Sequence, residues 1–237
     1  MWPKRETHDF SGQVIMITGG SRGIGFVTAQ AFLEKGARVA VCAKNPERLA
    51  AVQRQLSQTG EVEADVVDMR DLGQIQRFVE RVQKRFGHID VLVNNAGLAY
   101  GGAFVDQSFD SIADIIDVNV KGVLYMTRAV LPLLLKQQAG TIINVSSGAG
   151  LTGFAELVTY CASKFGVVGF TESLDQELRG KGVRVFGICP GRVATDMQEE
   201  VSGQRIGMAP ERIAENILQL AGQHPPVGTG KCLTIAS

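Results

Sequence analysis

The sequence has no excess of either charge, with 24 lysines and arginines against 24 aspartates and glutamates. Such a balance gives no global field toward nucleic acid or an anionic membrane, so neither is expected as a partner. It also lacks any C-x-x-C. Its four cysteines (Cys42, Cys161, Cys189, Cys232) are widely scattered, and His8, His88 and His224 are dispersed. These spacings argue against a disulfide scaffold or a metal site and for a reducing compartment, with each cysteine a small buried apolar residue. The opening MWPKRETHDFSG has no apolar core of a signal peptide. No run approaches the ~18 apolar residues of a membrane span, and AVLPLLL (129–135) is too short. The expected localisation is cytoplasmic. Linkers, repeats and low-complexity tracts are absent as well.

What is present is an alternating pattern. The chain has 237 residues, 45% hydrophobic and 20% charged, which suits one α/β domain over 1–237 with a substantial core. β-rich apolar runs fall at 13–18, 37–42, 62–66, 89–94, 140–145, 183–188 and 231–235. Helical spacing lies between them, as in IQRFVERVQKRF (75–86) and ERIAENILQL (211–220). Strands separated by helices predict right-handed crossovers and a parallel sheet of about seven strands covered on both faces. That is a doubly wound Rossmann fold. The segment 189–211 alone lacks a clear pattern, and its middle (about 192–209) reads as a substrate loop.

Directly after the first run stands TGGSRGIG (18–25), with glycines at 19, 23 and 25 leading into a helical stretch. Strand, glycine turn and helix in that order form a phosphate cradle, because backbone N–H groups and the helix N-terminus face the ligand. The spacing G-x-x-x-G-x-G resembles the short-chain dehydrogenase/reductase family. NNAG (94–97), Asn119 in DVNVKG, Ser147, the YxxxK of Tyr160 and Lys164, and PG (190–191) with Thr195 extend the resemblance over residues 10–235, toward the 3-oxoacyl-carrier-protein-reductase-like branch.

The resemblance implies a nicotinamide cofactor held by Gly19, Ser21, Arg22, Gly23, Ile24 and Gly25. It puts the adenine contact at Asp65 and Val66, with Asp68 as the alternative. It sets Asn94, Ala96 and Gly97 along the adenosine and phosphate side, and Pro190, Gly191, Val193 and Thr195 at the carboxamide end. Where NAD-preferring relatives carry aspartate this chain has Ala43, followed by Lys44. Arg22 and Lys44 without an acid attract a 2′-phosphate, which favours NADP(H), with NAD(H) as the alternative.

Tyr160 and Lys164 stand four residues apart and so share one helix face. A phenol with a pKa near ~10 is a sluggish acid at neutral pH, and a neighbouring cation lowers that value. The pair reads as a tuned general acid/base that also binds cofactor, Lys164 through the nicotinamide ribose in the family. Ser147 would orient a substrate carbonyl, with Ser146 as its competitor, and Asn119 would hold a water that links Lys164 to solvent.

The implied reaction is hydride transfer to a ketone or aldehyde. The alternatives are an NAD-dependent alcohol or sugar dehydrogenase, and a nucleotide-sensing protein without turnover. Leu98, Ser147, Phe154 and Met197 are the substrate candidates, with Leu157, Ile206 and Met208 as further wall residues and Glu156 or Arg205 for a polar group. The 195–210 segment looks shorter than the helical lid of 3-oxoacyl reductases, and the chain stops at LTIAS without their Gly-Gly tail. Helices over 109–136 and 158–179 are apolar enough for a four-helix contact, so a homodimer or homotetramer is expected.

Overall fold

Alternating faces explain the unbroken apolar runs. In β1 (Val14–Thr18) Ile15 and Ile17 enter one apolar cluster, while Val14 and Met16 enter another on the opposite side. A strand covered on both sides has no polar face to show. The structure, a computed structural model, describes residues 8–222 and 228–236; His224 lies outside the described residues.

The remaining strands are β2 (Arg38–Ala43), β3 (Val62–Val66), β4 (Val91–Asn94), β5 (Gly140–Val145), β6 (Val183–Pro190) and β7 (Cys232–Ile235). All seven runs expected from the sequence are strands of a single sheet in the order β3-β2-β1-β4-β5-β6-β7, and every pairing is parallel. The order reverses between β1 and β4, so the connections after these strands leave in opposite directions. Open α/β sheets bind ligands in the crevice beyond that switch point.

The helices are α1 (Gly23–Glu34), α2 (Pro46–Leu56), α3 (Leu72–Phe86), α4 (Phe109–Ile116), α5 (Gly122–Gln137), α6 (Val158–Leu178), α7 (Asp196–Ser202) and α8 (Pro210–Ala221). Phe32 of α1, Leu49 of α2 and Ile217 of α8 pack on one face of the sheet. Phe78 of α3, Met126 of α5 and Leu174 of α6 pack on the other. In α3 the buried residues Ile75, Phe78, Val79, Val82 and Phe86 repeat at three and four, and Asp71 caps the first turn by accepting from the Gln74 N–H.

Two regions depart from expectation. The patternless segment contains α7, whose start is a capping-box pattern, T-x-x-Q: Thr195 Oγ1 accepts from the Gln198 N–H at 3.3 Å. The second is the helix running from Phe109 to Gln137, which has the length and composition of a membrane span. It lies against β4, β5, α3 and α6, so it forms a layer of the fold. Its π-helical stretch Asp117–Lys121 turns Asn119 into the interior. Cys42, Cys161 and Cys189 are buried, Cys232 is partly so, and all four are free thiols.

Below the crevice a buried polar chain joins β4, β5 and α6. Asn94 Nδ2 donates to Thr127 Oγ1 at 2.9 Å and to Asn144 Oδ1 at 2.8 Å, and Asn144 Nδ2 donates to Thr171 Oγ1 at 3.0 Å. Replacing Asn144 with Ala strips partners from two buried groups. The expected loss of stability is about 1–3 kcal/mol, read by urea unfolding.

Candidate active site

The glycine loop sits where β1 hands over to α1. Gly19 has φ +68°, and a Cβ there would come within 2.8 Å of Ala96 Cα, so only glycine lets the β1 and β4 ends approach. Asn95 fixes that approach: its Nδ2 donates to the carbonyls of Thr18 (2.9 Å) and Gly19 (3.2 Å). The Thr18 hydroxyl accepts from the N–H groups of Asn95 and Ala96, both at 3.0 Å.

A cavity of about 370 Å³ opens above this junction. Gly19, Ser21, Arg22, Gly23 and Ile24 line its glycine-loop end, and Lys44, Asn45, Arg48 and Arg70 its outer rim. Ala96, Gly97 and Leu98 line the middle, with Tyr160 and Lys164 at the inner end and Thr195 and Met197 along the top. Gly25 stands behind the loop. Its missing Cβ, which would fall 2.3 Å from the Gly19 oxygen, is what lets the turn close. A backbone cradle, four cations (Arg22, Lys44, Arg48 and Arg70) toward one end and a buried amine at the other fit an elongated dinucleotide.

Three expected positions are displaced. Asn94 points down into the core, and its neighbour Asn95 lines the cavity instead. Successive side chains of a strand point to opposite sides, so a shift of one residue exchanges core for crevice. Asp65 and Val66 also miss the cavity. Asp65 pairs with Arg81 of α3 at 3.3 Å, and Val66, in register with Ala43, is exposed at 45%. The cavity wall is Val67, Asp68 and Met69, the first residues past the strand end. Asp68 is clasped by Arg70, which holds its carboxyl down to about 2, and it lies 3.3 Å from Lys44 Nζ.

Three further residues lie off the cavity: Pro190 ends β6, the Gly191 N–H donates to Ile235 O, and Val193 is buried against Met208. Met208 is core, so it forms no wall. Phe154 and Ile206 are exposed, Leu157 is half-buried, and none of the three lines the cavity. Glu156 is exposed in a left-handed turn at φ +64°, and Arg205 is paired with Asp196 at 2.9 Å. Arg48, Asn45, Asn95 and Tyr100 line the cavity without having been expected there. Arg48 stands in the first turn of α2, capped by Asn45 next to Lys44, and the Asn-Pro start of that helix is the signal that could have found it.

At the inner end, Lys164 is buried and donates to the Val145 carbonyl at 3.0 Å. Its Nζ stands 5.6 Å from the centre of the Tyr160 ring. Burial brings the amine down to about 8. Burial also pushes the half-buried Tyr160 phenol up, opposed by a hydrogen bond with Ser147. The lowering expected from Lys164 is not among the effects that move the phenol; Ser147 alone opposes the rise.

The two serines differ in place: Ser146 lines the cavity and Ser147 does not. Ser146 is buried and donates to the Lys164 carbonyl at 2.9 Å, which anchors the helix. Ser147 accepts from the Ala149 N–H at 3.1 Å and turns toward the phenol, just outside the cavity wall. Asn119 Oδ1 accepts from the Leu98 N–H at 2.7 Å, and its Nδ2 donates to Leu98 O and Ser163 Oγ. A Cβ on Gly97 would lie 3.4 Å from Asn119 Oδ1 and 3.6 Å from Lys164 Nζ. Glycine at 97 leaves that space open between an acceptor and a donor.

Residues 13–206 match the short chain dehydrogenase family model. The chain belongs to that family and is an NAD(P)-dependent oxidoreductase. Its relatives narrow this to the branch of 3-oxoacyl-carrier-protein reductases and ketoreductases. It is 36% identical over 236 residues to the 3-oxoacyl-[acyl-carrier-protein] reductase FabG of Thermotoga maritima, covering 94% of this chain and 96% of that one. The granaticin polyketide synthase putative ketoacyl reductase 1 of Streptomyces violaceoruber is 39% identical over 198 residues, covering 82% and 73%. Among solved structures, a variant of actinorhodin polyketide ketoreductase with NADPH superposes with a TM-score of 0.89 at 31% identity, covering 94% and 95%.

The depressed lysine is directly measurable. With 13C-labelled lysine, one side-chain resonance should titrate near pH 8, below the ordinary lysine value, and vanish in Lys164→Met. If every lysine titrated near its ordinary value, the ammonium would be better solvated than its burial implies.

Proposed function

We propose that the protein reduces a ketone with NADPH, with Tyr160 as general acid. The observation that carries this reading is the convergence of Tyr160 and the buried Lys164 at the inner end of a cavity whose outer end is cationic, with Ser147 against the phenol just outside the wall. When bound, the reduced nicotinamide supplies hydride to the carbonyl carbon.

This chain's own residues do the rest. Tyr160 releases its proton to the carbonyl oxygen, and Ser147 orients that oxygen by hydrogen bonding. Burial keeps the phenol protonated until the oxygen becomes basic enough to take the proton. Lys164, easily deprotonated because it is buried, is suited to return a proton toward Tyr160. The open space beside Gly97 would hold the water that links Lys164 and Asn119 to solvent. Gly19 to Ile24 would cradle the pyrophosphate with backbone N–H groups. Arg22, Lys44 and Arg48 supply positive charge for a 2′-phosphate, and the strand end offers Ala43 rather than an acid. The NADPH in the ketoreductase complex and the acyl substrates in the relatives' names support a phosphorylated cofactor and a keto substrate. Leu98 and Met197 would meet the substrate's apolar body.

Assembly follows from a second surface. Phe109 (90% exposed) and Leu124 on the α4–α5 helix, with Val158 and Phe165 on α6, leave apolar area uncovered. A homo-oligomer built on these helices covers it. Sedimentation equilibrium should find a dimer or tetramer, and Phe165→Glu should shift it toward monomer.

Replacing Tyr160 with Phe separates chemistry from binding. With a β-keto ester and NADPH, kcat/KM should fall about 10²- to 10⁴-fold while NADPH affinity persists. A fully active variant would remove Tyr160 from the mechanism.

A further inference from the structure

Helix α7 lies across the mouth of the cavity and touches both rims. At its start, the Thr195 methyl lies 3.2 Å from where a Cβ on Gly23 would stand. Toward its end, the Val201 carbonyl lies 3.2 Å from the corresponding point at Gly101, on the loop after β4. Between these contacts Glu200 reaches back to the glycine loop. Arg22 Nη1 donates to Glu200 Oε1 at 2.5 Å, and Nη2 to Oε2 at 3.1 Å. Asp196 adds a second carboxylate 3.6 Å from Nη1 and is itself held by Arg205.

Arg22 is thus the residue where two demands meet. Its guanidinium lines the cavity, and a planar fork suits a carboxylate or a phosphate bidentately. Glu200 takes one N–H of each Nη in the bidentate geometry a phosphate would use, so a cofactor phosphate must compete with it for the face of the guanidinium.

We infer that Glu200 is a specificity-determining residue: it competes with a cofactor's 2′-phosphate for Arg22, which tempers the preference for NADPH over NADH and couples NADPH binding to release of α7 from the glycine loop. This rests on the reading of Arg22, Lys44 and Arg48 as the 2′-phosphate site. NADH has no such phosphate and leaves the Arg22–Glu200 pair in place. Both partners are partly solvated, at 30% and 58% side-chain exposure, so the pair is weak enough to be exchanged for a phosphate dianion.

The test compares wild type with Glu200→Gln and Glu199→Gln in the full chain, titrated calorimetrically with NADPH, NADH and 2′,5′-ADP. Glu199→Gln removes the same charge from the same helix without breaking the Arg22 pair. Glu200→Gln should tighten NADPH and 2′,5′-ADP by about two- to fivefold, the scale of an exposed ion pair, with NADH unchanged. Glu199→Gln should leave the NADPH-to-NADH ratio as in wild type. An unchanged ratio in Glu200→Gln, or equal gains in both variants, would overturn the competition while sparing the phosphate site. A wild type with no preference for NADPH or 2′,5′-ADP would overturn the phosphate site, and this inference with it.

Discussion

Asn95 is the clamp on which the site's geometry depends. Its side chain binds the carbonyls of Thr18 and Gly19, and its own N–H and that of Ala96 bind the Thr18 hydroxyl. Those four hydrogen bonds lock the end of β1 to the end of β4 at the point where the strand order reverses. From there the buried chain Asn94, Asn144 and Thr171 runs across β5 to α6. The glycine loop and the Tyr160–Lys164 helix are therefore tied to one polar network beneath the crevice. A buried hydrogen-bonded network of this kind rigidifies what it joins, although Asn94 Oδ1 itself has no partner among the described residues, and a dinucleotide needs its two ends at a fixed separation.

The two ends handle charge in opposite ways. At the outer rim Arg22, Lys44 and Arg70 are partly exposed and each meets a carboxylate, from Glu200 or Asp68. Water screens those pairs, so they can exchange partners at small cost. At the inner end Lys164 is buried, no carboxylate among the described residues pairs with it, and it donates to the Val145 carbonyl. A charge held there is costly, which is why the amine gives up its proton easily. In the proposed reaction, binding adaptability and proton transfer would thus fall in different dielectric surroundings along one cavity.

The sequence made the strands legible because parallel strands buried on both faces cannot hide their apolar character. The glycine loop, Tyr160 and Lys164 were legible through spacing that few other arrangements use. What failed was register. Asn94 and Asn95 differ only in which way a side chain points, and apolar runs carry no mark of that direction. Asp65 and Asp68 differ by whether the residue lies inside β3 or beyond its end, and strand ends are set by pairing with β2, a tertiary property. Helix α7 was missed because seven residues leave no room for helical periodicity, although Thr195 and Gln198 already spelled its cap. The pairing of Arg22 with Glu200 spans 178 positions and has no local trace.

The most direct test of the account is a crystal structure of the protein with NADP⁺. It should show the pyrophosphate on the backbone amides of the 19–25 loop and the adenine beside Asp68 and Met69. The nicotinamide ribose should lie within about 3.2 Å of the Tyr160 hydroxyl or Lys164 Nζ. A cofactor bound with its nicotinamide away from Tyr160, or outside this cavity, would contradict it.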